Sequence, residues 1–386
     1  MSSVGVIVEF NPLHKGHVIH LTKTKKMTGC KKIVAVMSGN FVQRGEPAIC
    51  DKWQRTKMAL TNGVDIVIEL PLPYVISGAD YFARGSVGLL SATGIVSVLS
   101  FGSESGDLNS IIAVGKILKE EPDEYKNALR KNLDKGLSFA SAKGAALEEC
   151  LTNIPPGILN KPNNVLAAEY AKAVFILKNK IELLTTYREE GGFSATRIRK
   201  MLKSNKDVKE MVPKNVYEEL NSTKKFLSID DFSDIFRYLI YSKDIEMGEG
   251  LENRFRRFCG QHNLISDLLA EVKTKRYTYT RLQRIVMKTI LNITKDDMEL
   301  YDTGIIPPYI KVLGFRKESE QLLSEMTQKA MRPVITNGAA FDRIRSTGGV
   351  IGKMLDTELM AGDIYNMIAG NGSGYRGERS NAMIVI

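Results

Sequence analysis

Five short apolar runs punctuate the first two hundred residues: Val4–Val8, Ile33–Met37, Asp65–Leu70, Val96–Phe101 and Ile181–Thr185. Each is rich in β-branched side chains and almost unbroken by polar positions, the pattern of strands covered on both faces of a parallel sheet. Helical periodicity fills the gaps, at roughly Lys15–Met27, Asp51–Asn62, Ala79–Ser91 and Asn109–Lys119, and again from Ala195 to Leu202. Strands alternating with single helices predict right-handed βαβ units and a doubly wound, Rossmann-like α/β sheet. A longer helical insertion is expected over Pro122–Lys178. Beyond Lys206 the amphipathic patterns, such as Asp230–Tyr241 and Leu251–Cys259, are mostly helical. The expected organisation is thus an α/β domain over 1–206, a helical domain over 207–331 and a Gly-rich terminal segment over 332–386. That last segment either ends in a strand at Ala382–Ile386 as a small module or forms part of the second domain.

Length and composition agree with this plan. A chain of 386 residues can bury two or three cores, and 43% hydrophobic with 25% charged residues suits a soluble globular protein. No uncharged apolar run is long enough to span a bilayer, and the first residues carry no secretory signal, so no membrane association is expected. Cys30, Cys50, Cys150 and Cys259 lie far apart without a C-x-x-C pair, which fits a reducing, cytoplasmic setting. The net charge is +10, and Met1–Lys200 holds 26 lysines and arginines against 19 acids. The excess is spread through folded sequence, as a polyanion-binding surface requires.

Three of the four histidines fall within seven residues: His14, His17 and His20, in Asn11-Pro-Leu-His-Lys-Gly-His17 and just after. This segment joins the first strand to the first helix, at the carboxyl edge where α/β sheets place ligands. A helix start there offers free N–H groups to a phosphate, and Gly16 permits close backbone approach. His14 and His17 can donate to a phosphate gaining charge in a transition state, with His20 as a wall of the same pocket. A metal site would need a third ligand, and none stands out at suitable spacing, so no metal is assigned. Near the chain's other end of interest, Lys273, Lys275, Arg276, Arg281 and Arg284 interleave with Tyr277 and Tyr279. Phosphate contact with base stacking is one reading, and a solvated basic helix face is the other. With a helix starting near Thr278, Arg281 and Arg284 share a face.

The H-x-G-H pattern resembles the signature of the nucleotidyltransferase superfamily. Phe193-Ser194-Ala195-Thr196-Arg197-Ile198-Arg199, after the fifth strand, is similar to that superfamily's second motif, a capped helix start that reaches the triphosphate. Further blocks narrow the match: Ser38–Ala48 with Asp51-Lys-Trp-x-Arg55, Phe101-Gly-Ser-Glu104, Lys161-Pro-Asn-Asn164 with Leu166–Tyr170, and Lys275–Arg284. Together they resemble the bacterial tRNA-Met cytidine acetate ligases over nearly the whole chain to about Phe315.

The resemblance implies an ATP-dependent ligase that activates acetate as acetyl-adenylate and passes the acetyl group to N4 of the wobble cytidine of elongator tRNA-Met. It implies that Ile7, Val8, Glu9, Phe10, Asn11, Pro12, Leu13, His14, Lys15, Gly16, His17, Val18, Ile19 and His20 surround ATP, with His14 and His17 catalytic. Gly102, Asn163, Arg188, Ser194, Thr196 and Arg197 would complete the nucleotide site, Arg199 being the other cation available there. Taken singly, Gly102 also reads as a turn, Asn163 as a helix cap and Arg188 as a surface charge. Asn40 and Arg44, in the loop after the second strand, are candidates for the acetate or cytidine pocket, or simply turn residues. Lys273, Lys275, Arg276, Arg281 and Arg284 would contact tRNA. Mg²⁺ is expected with the triphosphate, held by phosphates and water, and no obligate protein partner is evident. Two rival functions are an adenylyltransferase making a small nucleotide cofactor and an RNA-binding protein with a degenerate nucleotide site.

Overall fold

The computed structural model describes residues 3–151, 154–155, 157–178, 180–188, 193–371, 377 and 381–386. Among the described residues the strands are β1 (Ser3–Val8), β2 (Lys32–Ser38), β3 (Phe41–Val42), β4 (Glu46–Pro47), β5 (Ile66–Leu70), β6 (Val96–Ser103), β7 (Glu182–Tyr187), β8 (Ile310–Phe315), β9 (Val334–Ile335) and β10 (Ile384–Val385). The five expected apolar runs become β1, β2, β5, β6 and β7, hydrogen-bonded in parallel in the order β5-β2-β1-β6-β7. This is a nucleotidyltransferase-like α/β sheet. The order reverses between β1 and β6, so the loops after these strands open a crevice at the carboxyl edge.

Alternation along β2 explains the two layers of helices. Ile33, Ala35 and Met37 face a core built with Leu21 of the Lys15–Thr28 helix and Met58, Ala59 and Leu60 of the Lys52–Thr61 helix. Val34 and Val36 face the opposite core, with Val87 and Leu90 of the Ala79–Ala92 helix and Ala167 and Ala171 of the Pro162–Leu177 helix. All these side chains are buried, which is what continuous apolar strands require. The insertion forms the Asp123–Asp134, Phe139–Cys150 and Pro162–Leu177 helices.

Two features of the second half bear on the expected domain plan, and the strand expected at Ala382–Ile386 is β10. The segment 207–331 is mostly helical, but it does not stand apart from the sheet. Strand β8 pairs antiparallel with β5, with Ile66 opposite Phe315 and Glu69 opposite Lys311, and β10 and β9 pair with β8. An uncovered β5 would present a row of unpaired N–H and C=O groups, and β8 closes that edge. The Gly-rich end is also largely helical, forming Gly338–Arg345 and a long helix at Gly349–Ile368. Gly352 and Gly362 are buried within that helix, where a small residue lets neighbours pack closely. Gly372 and Gly374 lie outside the described residues. Among the described residues no helix is long and apolar enough to cross a membrane.

Candidate active site

Strand β1 ends at Val8, and the chain turns through Phe10, whose φ is 45°, before entering the Lys15–Thr28 helix with His14 as N-cap. The backbone N–H of His14 donates to Nδ1 of His17 at 3.2 Å, and the His17 N–H donates to the His14 carbonyl at 2.9 Å. Because His17 Nδ1 accepts, its proton sits on Nε2, so the ring has one donor left for a ligand. The His14 and His17 rings stack at 3.6 Å with 17° between planes, and Phe10 meets His17 edge-on at 5.1 Å. His14 is 2% exposed, yet neither of its ring nitrogens has a hydrogen-bond partner. An unsatisfied buried polar atom costs about 1–3 kcal/mol, so these nitrogens are groups held ready for something absent from the protein itself.

The three histidines are neutral at physiological pH. Burial pushes His14 down to about 4, with the Arg188 charge adding to the effect. Burial lowers His17 well below its ordinary value, reinforced by His14, Arg188 and His20. His20 is lowered to about 4 by burial, then by Arg188 and Lys23, and its Nδ1 lies 2.8 Å from Thr186 Oγ1. Arg188 thus stands within electrostatic reach of all three rings. Its side chain is exposed and its backbone N–H bonds the Ser103 carbonyl at 2.9 Å, tying the ends of β6 and β7 together. Gly16 serves a purpose beyond ligand access: a Cβ there would sit 3.1 Å from the His14 ring and 3.3 Å from Phe193.

The second motif meets the first. Ser194 caps the Ala195–Lys203 helix, its Oγ accepting from the Arg197 N–H at 3.5 Å. Of the two arginines, Arg199 turns inward, donating to the Asn11 carbonyl at 2.8 Å and to Glu46 at 3.3 Å. Arg197 and Thr196 are exposed, and the Arg197 side chain has no partner among the described residues. On the far side of the crevice, Glu104 collects the start of the Pro162–Leu177 helix. It accepts from Asn163 Nδ2 at 2.6 Å and from the Asn164 N–H at 3.0 Å, while Asn164 Oδ1 accepts from the Glu104 and Ser105 N–H groups. Asn163 is therefore positioned by its amide nitrogen, leaving its carbonyl oxygen to accept from a ligand. Beside Gly102 a Cβ would meet nothing closer than the Thr186 carbonyl at 3.9 Å, so the strand end is open.

Asn40 is buried and its Oδ1 accepts from the Lys52 N–H at 2.9 Å, which makes it a helix cap with only its amide nitrogen to spare. It also lines a cavity of about 20 Å³, room for about one water molecule. Arg44 is exposed. Two residues carry more of the crevice than their sequence context suggested. Arg55, fully buried, donates to the Glu9, Ser38, Gly39 and Cys50 carbonyls, gathering the ends of β1 and β2. Glu9 accepts the Gln43 N–H at 2.7 Å, and burial raises its carboxyl while that bond, Arg199 and Arg55 oppose the rise. Behind the loop lies a buried ion network. Glu69 holds Lys52 at 2.7 Å and Lys311 at 2.8 Å, and Glu358 holds Lys311 at 3.1 Å and accepts from Tyr309 at 2.6 Å. It joins β5 to β8 and to the Gly349–Ile368 helix.

The basic stretch is placed differently from the stacking picture. Thr278 caps a helix at Tyr279–Ile290, as its spacing predicts, and Lys273 and Lys275 are exposed. Tyr277, however, is only 9% exposed, donates to Glu249 at 2.7 Å and lies under the Arg276 and Arg281 cations, while Tyr279 packs against the core. Neither ring is presented for a base to stack on. Arg276 and Arg281 both pair with Glu249, at 3.0 and 2.9 Å, which cancels part of the cluster's charge. Arg284 points to the crevice loop, its Nη1 3.5 Å from the Gln43 carbonyl. Among the described residues no three His, Cys, Asp or Glu side chains gather as a metal site.

Comparison with known proteins converges on one family. The model of the HIGH Nucleotidyl Transferase family matches residues 1–380. The tRNA(Met) cytidine acetate ligase of Thermoanaerobacter sp. (strain X514) is 40% identical across 97% of each chain, and that of Acetivibrio thermocellus is 38% identical across 95% of each. The crystal structure of Thermotoga maritima TmcAL bound with alpha-thio ATP superimposes over the whole of both chains, with a TM-score of 0.93 and 33% identity. The apo form of the same protein gives 0.92 and 32%. With whole-length relatives at this identity and the paired histidines on the sheet's carboxyl edge, the chain belongs to the tRNA(Met) cytidine acetate ligase family of HIGH nucleotidyl transferases.

Proposed function

We propose that this protein activates acetate with ATP as acetyl-adenylate and transfers the acetyl group to N4 of the wobble cytidine of elongator tRNA-Met. The observation that carries the reading is the stacked, neutral His14–His17 pair, with both His14 ring nitrogens unpartnered, at a helix N-terminus within reach of the Arg188 charge. Acetate is already ionised near neutral pH and needs no general base. One of its oxygens attacks the α-phosphorus, the bond to pyrophosphate breaks, and charge builds on the α-phosphate oxygens. His17 Nε2–H and a His14 N–H donate to those oxygens, with Arg188 supplying positive charge. Ser194, Thr196 and Arg197 would meet the β- and γ-phosphates, and the Asn163 carbonyl would accept from the adenine amine beside the open strand end at Gly102. The substrate is MgATP, its ion held by phosphates and water. In the second step cytidine N4 attacks the acetyl carbon, the acyl–phosphate bond breaks, AMP leaves, and N4 gives up one proton to water.

The test combines purified protein, ATP, acetate and tRNA-Met, followed by mass spectrometry of the tRNA nucleosides. N4-acetylcytidine is the expected product. Acetate-dependent pyrophosphate exchange without tRNA would separate this reading from a cofactor-making adenylyltransferase, which would exchange only with its own nucleotide substrate. Absence of both exchange and N4-acetylcytidine would sink it.

A further inference from the structure

Charges withdrawn from water ordinarily have a counter-charge. Lys52, Lys311, Arg276 and Arg281 all have carboxylate partners. Among the described residues Arg284 and Lys288 have none. They stand one turn apart on the Tyr279–Ile290 helix, both partly buried. Among the described residues the Arg284 side chain bonds the Gln43 carbonyl alone, at 3.5 Å, and the Lys288 ammonium has no hydrogen bond or ion pair. Burial lowers Lys288 to about 8 and Arg284 to about 10, with Arg284 depressing Lys288 further and Arg281 depressing Arg284. Asp80 offers Arg284 only a weaker, long-range attraction. Like charges four residues apart on a helix repel. The fold therefore holds two cations together at a cost that an anion would remove.

Their surroundings say where that anion lies. Gly45 packs directly on the Arg284 backbone, with a φ of 82° that keeps the turn against the helix. Two residues earlier, the Gln43 N–H is fixed to Glu9, at the end of β1 beside the histidine segment. One turn thus separates the cation pair from the crevice, with exposed Arg44 in its middle.

We propose that Arg284 and Lys288 form a seat for a phosphodiester of the RNA backbone, holding the acceptor nucleotide over the Glu9 end of the crevice. The proposal rests on the tRNA-acetylating reading and adds Lys288 to it. Partly buried cations without a carboxylate partner among the described residues suit a delocalised phosphate oxygen pair better than a base edge, and their spacing of one helical turn lets both reach one phosphate.

The experiment measures tRNA affinity against salt for the wild type, Lys288→Met and Lys288→Arg, with melting temperature and tRNA-free acetyl-adenylate formation in parallel. Lys288→Met should weaken tRNA binding about tenfold and flatten the log–log salt slope by ~0.7–0.9, and Lys288→Arg should restore the slope. Lys288→Met should melt at or above the wild-type temperature, because an unpaired charge has been removed from a desolvated position. A residue that merely supported the helix would lower the melting temperature and leave the slope alone, and that outcome overturns the proposal. A loss of acetyl-adenylate formation as large as the loss of tRNA affinity would put the seat on the ATP phosphates and overturn it too. Wild-type protein that adenylates acetate without binding tRNA also overturns it. A Lys288-dependent slope in a protein that makes no N4-acetylcytidine would support the seat and fault the proposed reaction instead.

Discussion

The neutrality of His14 has a consequence that can be measured without any substrate. Its folded-state pKa is depressed from 6.5 to about 4, mainly by burial, whereas in the unfolded chain it titrates near its ordinary value. Between those two values the unfolded chain binds the extra proton, so stability rises with pH through the window and is lost as pH falls through it. At about 1.4 kcal/mol per unit, the full shift is worth about 3 kcal/mol, of which about 2 kcal/mol disappears between pH 7.5 and pH 5. His17 and His20 are lowered as well, so the total acid sensitivity exceeds this, and the informative quantity is a difference. The perturbation is His14→Gln, which keeps a polar side chain and removes the titration. Urea unfolding of both proteins at pH 5 and pH 7.5 should show the variant losing about 2 kcal/mol less than the wild type on acidification. An equal loss, or an NMR titration placing His14 near 6.5, would refute the argument and with it the neutral-donor mechanism. The same neutrality predicts that acetyl-adenylate formation is flat from pH 8 to pH 6, where an imidazolium donor would gain activity as pH falls.

Three further outcomes follow from named contacts. Glu69→Ala would leave Lys52 and Lys311 buried without their shared carboxylate and should destabilise the fold by about 3–5 kcal/mol in urea unfolding; a loss under ~1 kcal/mol would show that the network is not a structural keystone. Gly45→Ala forces a side chain into a left-handed backbone position against Arg284, so a loss of about 1–3 kcal/mol with weakened tRNA binding is expected, checked by thermal melting and filter binding. Asn163→Ala removes the amide held by Glu104 and should raise the KM for ATP about tenfold in pyrophosphate exchange, with a smaller change in kcat.

Local pattern alone determined much of this protein. The strands β1, β2, β5, β6 and β7 were legible because a strand covered on both faces must be apolar along its whole length, and those runs contain little else. The histidine segment was legible because strand, turn and helix start are adjacent in the chain, so its chemistry is set by residues within about ten of one another. Tertiary structure decided the rest. Strand β8 becomes part of the sheet only because the β5 edge, some 240 positions earlier, needs a partner, and Lys311 within it is tolerated because Glu69 and Glu358 arrive from distant segments. Glycines that signal a loop by propensity sit inside the Gly349–Ile368 helix, where burial outweighs their backbone entropy. Tyr277 and its arginines look like a nucleic-acid platform in sequence, yet Glu249 draws all three into a local pairing that no spacing rule reveals. Lys288 was silent for the converse reason: a lysine on an amphipathic helix is unremarkable until packing draws it out of water with no carboxylate beside it among the described residues.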